Sequence, residues 1–219
     1  KPLQNTLDHA FSHSSALLNY LIHHQKKILP LLALIILLIP FIINHSIGKP
    51  LLNGPESYYH LSLAKEHHWF IPNYLFLLPL ISYIPQQILW LIPLFLGITT
   101  IILLINLFEK LKIGDKLSFF FTLILISSPF FIFLFSSISS SGFFLFLTTL
   151  GFFLITRDNK YHNTAIIPFI LATFFDLFST IILFLTLLSH LWNNNNSNHS
   201  KKIKIYLLII SILLLLNWL

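Results

Sequence analysis

The chain alternates long apolar runs with short polar connections, and the runs carry the first structural signal. "ILPLLALIILLIPFII" (28–43), "ILWLIPLFLGITTIILLINLF" (88–108), "LSFFFTLILISSPFFIFLF" (117–135) and "FFLFLTTLGFFLIT" (143–156) are almost free of charge. A helix crossing a bilayer needs roughly 20 apolar residues, with about 17 to 25 as the working range. The runs therefore predict membrane helices, not a soluble core. "IYLLIISILLLLNWL" (205–219) begins a further span. Pro30 and Pro40 fall near the ends of the first run, where a lost backbone donor matters least.

Two segments need a different reading. Residues 1–27 place Leu7, Phe11, Leu18 and Ile22 near helical spacing with polar residues between them. That pattern predicts a cytoplasmic helix lying in the membrane interface. It does not fit a signal peptide, because no small-residue cleavage site follows the apolar run. "NYLFLLPLISYIP" (73–85) is apolar but short and broken by proline, which suits a helix at or dipping into the outer interface.

The expected fold is an all-α polytopic transmembrane helical bundle. Its parts are the interfacial segment 1–27 and a transmembrane module 28–219 with an outer loop at 44–87. Composition agrees with this class: 56% of residues are hydrophobic and the mean hydropathy is +0.82. Cys, Met and Val are absent and Arg157 is the only arginine, a bias that reflects codon supply more than function. Without cysteine there is neither a disulfide framework nor a thiolate metal site. Position 1 is Lys and the last residues lie within an apolar run, so the sequence reads as a piece of a longer protein.

Charge sets the expected orientation. The formal net charge is +6. In a membrane protein Lys and Arg collect in cytoplasmic loops, where anionic lipids attract them. Residues 165–192 form either one long helix or a short hairpin broken near Asp176. The hairpin puts Lys26, Lys27, Lys110, Lys112, Lys116, Arg157, Lys160, Lys201, Lys202 and Lys204 inside, and leaves only Lys49 and Lys65 outside. The hairpin is therefore preferred, with the N-terminus cytoplasmic and loop 44–87 outside a multi-pass cell-membrane protein. Membrane lipids are the expected surroundings. Nucleic acid is not an expected partner, since no basic face with interleaved aromatics lies outside the spans.

The outer loop holds the densest chemistry. "NGPESYYHLSLAKEHHW" (53–69) gathers three histidines, two tyrosines and two glutamates in a chain with only 9% charged residues. Asn53 or Gly54 can cap a helix start, and Pro55 suits the first helical position. Glu56 then falls in the first turn, where the helix dipole favours an anion. Helical spacing puts Glu56, Tyr59, His60 and Leu63 on one face, with Tyr58 and Leu61 flanking it and available to bury against the bundle.

Three readings follow from these residues. The helix can be an interfacial element whose Tyr58, Tyr59 and Trp69 belong to the aromatic belt. Glu56 can be a general base at the mouth of a membrane cavity, with His60 orienting it or contacting an anionic donor. Glu56, His60, His67 and His68 can be metal ligands, although their spacing matches no familiar zinc pattern and the His pair recurs at His23–His24. Asp176 lies in an apolar stretch, where a carboxylate costs at least about 2.5–3.5 kcal/mol. Capping the second helix of the hairpin accounts for it.

"GPESYYHLSLAKE", placed directly after the first span, resembles the first outer loop of the GT-C superfamily of membrane glycosyltransferases. "IPNYLFLLPLISYIP" and "SPFFIFLFSSISSSG" are similar to later segments of the same N-terminal transmembrane module. The resemblance implies transfer of a sugar from a polyprenyl-phosphate-linked donor to an acceptor hydroxyl on the outer face. It implies Glu56 as the catalytic acid position, with Tyr58, Tyr59 and His60 lining the donor pocket; Lys49 or Lys65 is the expected phosphate contact, since few other cations face outside. "SSISSSG" has no carboxylate where metal-dependent members carry a second acidic motif. The glycine- and proline-rich portion that follows the loop helix in oligosaccharyltransferases is also missing. A metal-independent enzyme, closer to the mannosyltransferases and aminoarabinose transferases, is thus expected, with no cofactor. The later spans and soluble domain of such enzymes would lie in a missing C-terminal portion or a partner subunit. The rival expectation is a non-catalytic membrane subunit or scaffold whose outer loop binds a partner. A transporter is weaker, because no inverted repeat is apparent.

Overall fold

A computed structural model of the chain describes residues 16–49, 54–65, 83–85, 88–157, 164–173, 175, 180–181 and 183–184. Every regular element among them is helical. Long contiguous apolar runs leave no period-two pattern for a strand, and a helix satisfies its own backbone in lipid. In chain order the helices are α1 (Gln25–Ser46), α2 (Gly54–Lys65), α3 (Leu91–Lys110), α4 (Asp115–Ser127), α5 (Pro129–Ser136), α6 (Ser140–Thr156) and α7 (Ile166–Thr173).

Helix α1 buries Gln25, Leu29, Ala33, Leu37 and Phe41, a stripe repeating every four residues. Its opposite side exposes Leu31, Ile35, Ile39 and Ile42. The outer surface is thus as apolar as the inner one, the mark of a helix whose surroundings are not water. Helices α1 and α3 are each long and apolar enough to cross a membrane, and a bent α4–α5 pair has the makings of a third crossing. Both prolines of α1 lie inside the helix, because it extends beyond the expected 28–43 at both ends. Residues 16–23 are also helical and lead almost directly into α1. Across the intervening His24 the backbone bonding continues, with His24 N donating to Tyr20 O at 3.1 Å and Ile28 N to His24 O at 3.1 Å.

Lys26 Nζ lies 2.7 Å from Glu109 Oε2, joining the start of α1 to the end of α3. The two helices therefore run antiparallel. Both side chains are more than half exposed, and pairs of that kind contribute about 1 kcal/mol or less. The packing behind the pair holds the helices together: Leu29, Ala33, Leu37 and Phe41 of α1 share one core with Leu94, Ile101 and Ile105 of α3 and with Phe131 and Phe135 of α5. Gly97 lets α3 approach so closely that a Cβ there would come 2.6 Å from Leu37 Cδ1 and 2.9 Å from Phe135 Cβ.

The run 117–135, expected as one span, is two helices meeting at 62°. The reason is local. Ser128 precedes a proline and adopts extended backbone (φ −73°, ψ 136°), and Pro129 has no N–H for the i→i−4 ladder. At the far side of the bundle, α7 packs on α6 with the Phe169 ring over Gly151. The expected break near Asp176 lies outside the described residues, as do 193–219; α7 itself ends at Thr173.

Hydroxyls inside the bundle mostly return to their own helix. Thr100 Oγ1 donates to Leu96 O at 2.7 Å, and Thr149 Oγ1 to Leu145 O at 2.8 Å. Ser118 Oγ and Thr122 Oγ1 of α4 are buried with no hydrogen-bond partner. A buried unpaired hydroxyl costs about 1–3 kcal/mol. Thr122→Val is therefore expected to stabilise the detergent-solubilised protein by about 1 kcal/mol, whereas Thr100→Val, which removes a made bond, should not. Thermal unfolding of both variants beside the parent checks this, and equal shifts would contradict it.

Candidate functional site

The end of the bundle opposite the Lys26–Glu109 pair is where the loop motif sits. Helix α1 stops there at Ser46, and the chain turns through Gly48, whose φ of 67° lies in the left-handed region that favours glycine. Gly48 N donates to His45 O at 3.2 Å and Lys49 N to Asn44 O at 2.9 Å, so the last turn of α1 keeps its carbonyls satisfied. Lys49 leaves this turn exposed.

Helix α2 begins at Gly54, so Pro55 and Glu56 occupy its first turn. Its docked face is Ser57, His60 and Leu61, spaced i, i+3 and i+4. Ser57 and His60 have 0% exposure. Of the face expected to hold Glu56, Tyr59, His60 and Leu63, the last three side chains are described. His60 turns inward, Leu63 is half-buried, and Tyr59 stands 50% exposed. Tyr58, expected to be available for burial, is 39% exposed, while Leu61 does bury. The partial burial of Tyr58 pushes its phenol above the ordinary value. The Tyr59 and His60 rings lie 5.8 Å apart at 56°. For Glu56 and Lys65 the helix backbone alone is described; Asn53, Glu66, His67, His68 and Trp69 lie outside the described residues.

The surface that receives α2 was missed in the sequence. Leu61 packs in an apolar cluster with Leu89, Ile138 and Phe175, flanked by Ile92, Phe143 and Leu147. Phe143 and Phe175 stack at 5.1 Å with nearly parallel rings. The turn "SSISSSG" has Ser136, Ser137, Ile138 and Ser139 all buried. Its hydroxyls work on the backbone. Ser137 Oγ donates to Phe133 O at 2.9 Å, and Ser139 Oγ accepts from Gly142 N at 3.0 Å as the N-cap of α6. A Cβ at Gly142 would meet Leu134 O at 2.8 Å, so the turn is closed tightly on itself.

A hydrogen bond crosses between motif and turn. Ile138 N donates to Ser57 Oγ at 2.9 Å, over 81 positions of sequence. Among the described residues no three His, Asp or Glu side chains come together as a metal site. What the arrangement offers is a fixed helix that presents its first turn, two exposed phenols and an inward-facing imidazole at one end of an apolar bundle.

No protein-family model, no curated protein and no solved structure matches this chain. The resemblance to the GT-C loop rests on the motif residues themselves.

Proposed function

We propose that the chain is the N-terminal part of a polytopic GT-C-like glycosyltransferase acting at the outer face of a cell membrane. It transfers a sugar from a polyprenyl-phosphate donor to an acceptor hydroxyl. The observation carrying this reading is "GPESYYHLSLAKE" on a helix docked at one end of the bundle, directly after the first long apolar helix. Glu56 takes the acceptor proton as the acceptor oxygen attacks the anomeric carbon. The bond from that carbon to the phosphate oxygen breaks, and the lipid phosphate leaves with the electron pair. Such proton removal by a positioned base contributes about 10²–10⁴-fold. Tyr58 and Tyr59 offer phenols to the donor, and Lys49 and Lys65 are the cations on the same side of the membrane. His60, buried on the docked face, steadies the helix. The chemistry asks for no cofactor.

A second reading draws on the burial of Ser57, His60 and Leu61, which a scaffold helix would share. In that case the exposed Tyr58 and Tyr59 would bind a partner protein. Sugar transfer by the full-length protein from a radiolabelled polyprenyl-phosphate hexose separates the two, since a scaffold gives none.

Orientation has its own test. This chain has no cysteine of its own, so single cysteines placed in it report without background from its own residues. Ser62→Cys, on the exposed side of α2, is expected to react with an impermeant thiol reagent in intact cells, and Ser197→Cys is expected to react after permeabilisation alone. Labelling at 197 in intact cells would remove the hairpin around Asp176.

A further inference from the structure

We infer that Ser57 is the positioning residue of the site, acting as a clamp that sets where its neighbour Glu56 stands. Residues 137–139 are an extended connection between α5 and α6, with Ser137 at φ −127°, ψ 157° and Ser139 at φ −125°, ψ 142°. An N–H inside such a connection has no helical acceptor of its own. Ile138 is 1% exposed, so its N–H cannot turn to water either. Ser57 Oγ meets it at 2.9 Å from a side chain that is itself fully buried. Leaving a buried donor unpaired is strongly disfavoured, so the helix and the turn are bound to one relative placement.

The apolar contacts around Leu61 hold α2 down without fixing its rotation, because dispersion and burial are non-directional. The Ser57 bond is directional and lies one residue from Glu56. A slide or roll of α2 that the apolar cluster would tolerate breaks this bond. Misplacing a reacting group by about 1 Å can cost roughly 10²-fold in rate. The catalytic half of this inference rests on the proposed transferase reading, whereas the mechanical half stands on the geometry alone.

The test uses the full-length protein and two variants, Ser57→Ala and Ser62→Ala. Ser62 Oγ donates to Tyr59 O within α2 at 2.8 Å and, among the described residues, bonds to no other element. Transfer from a radiolabelled polyprenyl-phosphate hexose is measured at matched folded fraction, judged by monodispersity and circular dichroism. In parallel a nitroxide on Ser62→Cys reports helix mobility by electron paramagnetic resonance, with and without Ser57→Ala. The expected result is a kcat lower by roughly 10²-fold for Ser57→Ala, an unchanged donor KM, a Ser62→Ala variant like the parent, and a more mobile spectrum. A fall in thermal stability with kcat and spectrum unchanged would overturn the inference, leaving Ser57 as packing. An inactive parent would overturn the catalytic half together with the transferase reading, and the nitroxide spectrum would still decide whether Ser57 clamps the helix.

Discussion

Glu56→Gln is expected to lower sugar transfer on the order of 10²–10⁴-fold while the folded fraction stays near that of the parent. The amide keeps the shape and hydrogen bonding of the carboxylate and removes its basicity. Helix α2 keeps its hold in the variant, because that hold is made by Ser57, His60 and Leu61 and by the Leu89, Ile138 and Phe175 cluster. Glu66→Gln is the control. It lies ten residues on in the sequence, beside Lys65, and its sequence context reads as a solvated charge. Rates from a polyprenyl-phosphate donor at matched expression decide the matter. If both variants transfer as fast as the parent, the motif is an interfacial helix and the transferase proposal loses its support.

The largest effects on stability are expected at two glycines where helices pack. A Cβ on Gly151 would lie 2.6 to 2.9 Å from three atoms of the Phe169 ring, and Phe169 is fully buried between α6 and α7. A Cβ on Gly97 would meet Leu37 and Phe135, also fully buried, on two different helices. Gly→Ala in a helix gains about 1 kcal/mol of propensity, but overpacking costs about 1–3 kcal/mol and more for larger groups. Gly97→Leu and Gly151→Leu should therefore each lose about 3 kcal/mol or more. Membrane helices use small residues in this way, to bring backbones together where no hydrophobic force separates helix from lipid. Gly114→Ser is the contrast: a Cβ there meets nothing within 4 Å, and serine is a better N-cap for α4 than most residues. Unfolding midpoints of the three variants in detergent should order as Gly114→Ser, then parent, then the two leucine variants.

The helical class and the placement of α1 and α3 were legible because long apolar runs bounded by charge admit little else. The bend at Ser128 was legible in principle, since a proline in mid-run carries its own reason, yet run length alone suggested one continuous helix. The docked face of α2 was not legible. Charge and aromaticity drew attention to Glu56, Tyr58 and Tyr59, whereas docking depends on a small polar side chain, Ser57, finding one N–H 81 positions away. Nothing local to either segment encodes that pairing. The i, i+3, i+4 spacing of Ser57, His60 and Leu61 was the available signal, weakened because two of the three are polar. The burial of "SSISSSG" was hidden for a similar reason. Serine is frequent in exposed turns, and here its hydroxyls replace water for a backbone that is buried.

The Ser128–Pro129 break has a consequence for how this sequence can change over generations. Pro129 denies Leu125 O its helical donor, and Ser128 answers with Oγ at 2.7 Å and N at 3.1 Å. The same hydroxyl accepts from Phe131 N at 3.1 Å, closing the first turn of α5. One side chain thus serves both halves of the break in surroundings where an unmet backbone group costs several kcal/mol. Losing the serine first strands the Phe131 donor, while losing the proline first lets the two helices straighten and pulls α5 from its seat against α1 and α3. Neither single step is neutral, so the dipeptide is expected to drift as a unit, and lineages that abandon the bend should abandon both residues together.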